Sequence, residues 1–113
     1  MMKKNLFITA VISSLFFFSC ESQRIISVNC VNALTGEPVD SVLVNVNAGL
    51  DGDYNKSTRS GYTDSTGHFE TTIMIGCPGK CYDIYVSYTK NGFEFVKNLN
   101  ELEGEIKLTP LAE

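Results

Sequence analysis

The side chains with the most chemical potential in this chain are four cysteines, a single histidine and five tyrosines. Cys77-Pro-Gly-Lys-Cys81 brackets a Pro-Gly turn that brings two sulfurs within reach of a local disulfide. Cys30 pairing with either of them, or free thiols throughout, are the alternatives. A zinc site needs a further ligand, and the spacing of His68 from these cysteines fits no zinc pattern, so no metal and no cofactor are assigned. A small hydrolase of the Ser–His–acid kind would have to use His68. No Gly-x-Ser-x-Gly elbow accompanies it, and no catalytic residue is assigned. Glu101 and Glu103 read as solvated charges rather than a glycosidase pair. Asp51-x-Asp53-x-Asn55 opens like a calcium loop, but Lys56 and Tyr62 stand where such a loop has glycine and glutamate. Tyr54 and Tyr85 remain as binding candidates, two aromatics available for stacking on a sugar or for contact with a protein.

These residues must be held by strands. Arg24 to Val31 alternates, with Ile26, Val28 and Cys30 on one face. Ser41 to Ala48 sets Val42, Val44 and Val46 against Leu43, Asn45 and Asn47. Its β-branched residues and asparagines are poor helix formers. Gly49 to Ser60 is polar and reads as a long loop. Asp64-Ser65-Thr66-Gly67 is a turn between two β-rich runs, predicted to make a hairpin with Phe69, Ile73 and Ile75 facing inward. Tyr82, Ile84, Val86 and Tyr88 form the inward face of the next strand, which turns Tyr85 outward. Asn91-Gly92 predicts a type I′ hairpin returning through Phe93 to Lys97. Glu105 to Leu108 is a last short strand ended by Pro110. Short strands separated by turn signals, with no amphipathic helix among them, predict an all-β sandwich of about seven strands.

The N-terminus has another character. Lys3 and Lys4 precede a mostly apolar stretch over 6–18, too short for a permanent membrane span and patterned like an export signal. Ser19-Cys20 closes it and resembles a bacterial lipobox, although Phe17 and Phe18 stand where leucine and a small residue are usual. Looser boxes of this kind are familiar in lipoproteins of the Bacteroidota. The resemblance implies removal of residues 1–19 and acylation of Cys20, followed by Glu21-Ser22-Gln23 as a short tether. The whole chain carries a formal charge of −4, and losing Lys3 and Lys4 makes the remainder more acidic. With no run of basic residues left, nucleic acid is not an expected partner.

Thr35-Gly36-Glu37-Pro38-Val39, Val42-x-Val44, Thr63 to Phe69, Tyr85-Val86-Ser87-Tyr88 and Ile106-Lys107-Leu108 together resemble the carboxypeptidase regulatory-like family. The resemblance covers residues 24–110. It implies a transthyretin-like (prealbumin-like) Greek-key β-sandwich, of a kind that occurs in stand-alone envelope lipoproteins. Related hydroxyisourate hydrolases share that fold but need several histidines and arginines and a C-terminal Tyr-Arg-Gly-Ser, which this chain lacks.

The expected protein is a non-catalytic module, lipid-anchored to the outer membrane through Cys20 and serving a structural or protein-binding role. The alternative is a carbohydrate-binding accessory lipoprotein of a glycan-uptake system. A small hydrolase is a more distant reading. The expected partners are the membrane, through Cys20, and an envelope protein or a glycan.

Overall fold

A computed structural model describes residues 21–77 and 79–112. The export signal expected at 1–19 and the acylation expected at Cys20 lie outside the described residues. Seven strands run β1 (Glu21–Asn32), β2 (Leu43–Leu50), β3 (Asp53–Tyr62), β4 (His68–Gly76), β5 (Asp83–Thr89), β6 (Val96–Leu99) and β7 (Glu103–Leu108). There is no helix among the described residues. One sheet has three strands in the order β4-β1-β7, and the other has four in the order β3-β2-β5-β6. All pairings are antiparallel except β1 with β7, which is parallel.

The alternation read from the sequence explains how the sheets meet. Ile26, Val28 and Cys30 of β1 and Phe69, Ile73 and Ile75 of β4 turn inward from one sheet. Val44, Val46 and Ala48 of β2 and Ile84, Val86 and Tyr88 of β5 turn inward from the other. Val46 lies opposite Val86 and Val44 opposite Tyr88, so the two central strands of the larger sheet bury their β-branched and aromatic side chains as cross-strand pairs. Each such side chain taken from water contributes about 1.5–3 kcal/mol before the entropy of ordering is deducted.

Four local expectations change. The polar tether expected at Glu21-Ser22-Gln23 is strand, because β1 starts at Glu21 and pairs residue for residue with the end of β4, Glu21 opposite Gly76. Most of the long loop expected over Gly49–Ser60 is β3. An edge strand with polar side chains offers no alternation to read. Its backbone is held by β2, with a break in register between Ala48 and Leu50.

The turn at Asp64–Gly67 does not make a hairpin either, since β3 and β4 belong to different sheets. The turn chemistry is as expected. The Asp64 carboxylate accepts from Thr66 Oγ1 at 2.7 Å, Thr66 N at 2.9 Å and His68 N at 3.1 Å. These bonds hold its carboxyl below the usual range, the Thr66 hydroxyl contributing most. What converts the turn into an arch is long-range pairing. Cys30 N donates to Gly67 O at 2.8 Å, and a Cβ on Gly67 (φ +77°) would meet Cys30 O, so this position needs glycine twice over.

Asn91-Gly92 is a turn but not type I′. Only Gly92 has positive φ, and Phe93 N donates to Lys90 O at 3.1 Å. The strand expected at Phe93–Lys97 therefore starts later, at Val96. Phe93 instead bridges to Pro110, and Glu94 N donates to Thr109 O at 2.9 Å.

Thr63 ties the crossings together. It is the buried polar residue of the described core, and its Oγ1 donates to Val39 O at 2.8 Å while accepting from Val42 N at 2.9 Å. Thr63→Val should leave both backbone groups unpaired and lower the unfolding free energy by about 1–3 kcal/mol. Urea denaturation checks this against Thr58→Val on exposed β3, expected within about 0.5 kcal/mol of the parent.

Candidate functional site

The outer face of the four-stranded sheet brings the two tyrosine candidates together. Tyr54 comes from the start of β3 and Tyr85 from β5, with β2 between them. Their ring centroids lie 4.6 Å apart with planes at 87°, an edge-to-face pair. Asn47 of β2 and Leu99 of β6 lie opposite Tyr85 in the sheet register. Both rings are half-buried.

Lys97 completes the group. Its Nζ stands 4.4 Å from the Tyr85 ring centroid, attracted by the negative face of the ring. Sequence reading missed this residue for a definite reason. A type I′ hairpin at Asn91-Gly92 would set a different register, whereas the observed one places Lys97 opposite Ser87, diagonal to Tyr85. The Tyr54 phenol is held above its ordinary range, first by the adjacent Tyr85 side chain. The group can therefore offer two phenols, one cation and a partly covered aromatic face. That set suits a polar or aromatic partner, and none of its members is a nucleophile with a base beside it.

A shallow groove of about 220 Å3 lies between the β3 and β4 edges, lined by Lys56, Ser57, Met74, Ile75, Gly76 and Tyr82. Tyr82 packs directly over Gly76, where an added Cβ would come 2.9 Å from its hydroxyl. Lys56 makes a loose ion pair with Asp53 at 3.9 Å.

The remaining candidates are dispersed. Cys77 and Cys81 are joined as a disulfide in the connection from β4 to β5, while Cys30 is a free, fully buried thiol. His68 is half-buried on the outward side of β4, with Nδ1 3.0 Å from the Asn29 side-chain oxygen. Asp51 and Gly52 form the turn into β3, and the Asp53 carboxylate accepts from Asn55 N at 3.2 Å. No group of three or more His, Cys, Asp or Glu side chains that could hold a metal ion occurs among the described residues. Glu101 and Glu103 are exposed.

Among the described residues the core holds one polar anomaly. The Tyr88 hydroxyl is buried without a hydrogen-bond partner. Burial pushes both Tyr88 and Cys30 upward, Cys30 to about 11. Both groups thus keep their protons in the fold longer than in the unfolded chain. For Cys30 the stability this represents is complete below about pH 9, the ordinary thiol value, and is lost as pH rises through about 11.

Three outcomes follow from this chemistry. The urea midpoint at pH 10 should fall below that at pH 8, and by less in Cys30→Val. Tyr88→Phe removes an unpaired hydroxyl from the core and should leave stability unchanged or raise it by about 0.5–2 kcal/mol in the same assay. With Cys20→Ser to silence that position, intact mass after alkylation should show no modified cysteine in the native protein and one, Cys30, after unfolding without reductant. Compared with known proteins, the chain matches no family model and no curated protein.

Proposed function

We propose that this chain is a non-catalytic envelope lipoprotein, anchored to the outer membrane through Cys20, whose β-sandwich is a structural or protein-binding module. The observation that carries the reading is the juxtaposition of Ser19-Cys20, at the end of an apolar export-like segment, with a strand in which Glu21 is already paired. Two sheets of three and four strands, with the first and last strands parallel neighbours, support a transthyretin-like Greek-key sandwich of the carboxypeptidase regulatory-like kind. The surface supports a binding rather than a catalytic role. Its one histidine faces an asparagine, and its best-organised side-chain group is aromatic and cationic.

A second reading, a carbohydrate-binding accessory lipoprotein of a glycan-uptake system, is favoured by one observation. Tyr54 and Tyr85, distant in sequence, meet on one exposed sheet face. Lys97 lies over one face of Tyr85, so a sugar stacking on that face must displace it or accept its hydrogen bonds.

Palmitate fed to cells expressing the full chain should label the parent and not Cys20→Ala; label that persists in the variant overturns the anchored reading. Cross-linking on intact cells followed by mass spectrometry should recover a reproducible envelope protein with the parent chain. Recovery of the chain alone, with saturable polysaccharide binding that Tyr85→Ala abolishes, would replace the protein-binding role with the carbohydrate one.

A further inference from the structure

The start of β1 has a geometric consequence for an anchored chain. Glu21 is already paired with Gly76, and Ser22 and Gln23 with Ile75 and Met74. An acyl-bearing Cys20 is therefore one peptide unit, ~3.8 Å between α-carbons, from a residue locked in a sheet. A flexible linker of n residues gives a reach of roughly 5–6 Å times the square root of n. Here there is no linker to supply it.

The topology then decides which parts of the sandwich gather at that end. β4 ends beside Glu21, and the Cys77–Cys81 connection follows from it into β5. β2 ends there too, Gly49 standing opposite Asp83, and the turn at Asp51-Gly52 leads straight back into β3. β6 also ends there, with Asn100 N donating to Ile84 O at 2.7 Å. At the opposite end lie the Asn32–Pro38 turn, the Thr63–Gly67 arch and the Lys90–Phe93 turn. The 12-residue β1 separates the two ends by roughly 40 Å at ~3.3 Å per residue.

We infer that the end of the sandwich formed by Glu21, Gly76, the Cys77–Cys81 connection and the Asp51-Gly52 turn rests against the lipid surface, with the arch end presented away from it. This rests on the anchored reading above. The orientation is set by covalent geometry and not by charge, since the near end carries Lys80 together with Asp51 and Asp53. The groove beside Tyr82 and Gly76 consequently opens at the headgroup layer. A protein partner approaching from the aqueous side meets the far turns first, where Leu34 is 77% exposed.

The chain has no tryptophan, so a single introduced one reports position without background. Lys80→Trp marks the near end and Leu34→Trp the far end. Each full chain is produced in a bacterium that acylates lipoproteins, checked for palmitate on Cys20, and reconstituted into phosphatidylethanolamine/phosphatidylglycerol vesicles with brominated acyl chains. Over a separation of roughly 40 Å, quenching of Lys80→Trp should exceed that of Leu34→Trp by at least about threefold. Acylated chains with equal quenching at both positions, or stronger quenching of Leu34→Trp, overturn the orientation while the anchored reading stands. Absence of palmitate from Cys20 overturns the anchored reading, and the orientation with it.

Discussion

A single hydroxyl secures two of the four points at which the chain changes sheets. Strands β1 and β2 lie in different layers, as do β3 and β4, so two connections must cross the same end of the sandwich. Thr63 sits where they meet. Its hydroxyl bonds Val39 and Val42, its backbone N donates to Val42 O at 3.0 Å, and its carbonyl accepts from Ser41 N at 3.0 Å. Just beyond it, the arch turns through Asp64, Thr66 and Gly67, and Gly67 O closes back onto Cys30 N. A buried polar group is costly unless satisfied. Here the cost is offset by using one side chain to satisfy two backbone groups that the crossing leaves without a sheet partner.

Two kinds of polar burial can be contrasted in this core. Thr63 is buried and fully engaged, whereas the Tyr88 hydroxyl is buried and unpaired. Tyr88 nevertheless fills the space opposite Val44 with the largest fully buried side chain of the described residues, so the packing of its ring outweighs one unmade hydrogen bond. The surface tyrosines use their rings differently. Tyr54 and Tyr85 meet edge to face, and a lysine from the neighbouring strand holds the exposed side of Tyr85.

The buried faces of β1, β2, β4 and β5 were legible from period-two alternation, because Val42, Val44, Val46, Ile84, Val86, Ile73 and Ile75 have only one apolar side to hide. β3 was not, because residues such as Ser57, Thr58 and Ser60 belong to a strand through backbone pairing that side-chain character does not report. The same turn signal at Asp64–Gly67 serves a hairpin or an arch, and only the distant partners Cys30 and Val39 decide between them. Tyr54 and Tyr85 stood out as aromatics, but their meeting depended on the placement of β3. Lys97 depended on a register that the Asn91-Gly92 turn does not set alone.

The position of β1 has a mechanical meaning. It is the middle strand of its sheet, bonded to β4 on one side and to the closing strand β7 on the other. A pull applied to the chain where it enters at Glu21, directed along the strand, therefore meets the rungs to β4 and β7 sideways. Such a load is shared by many hydrogen bonds at once, whereas a pull across an edge strand would open them one after another. A domain held at its first strand and tugged from its far turns is thus loaded along its most resistant direction.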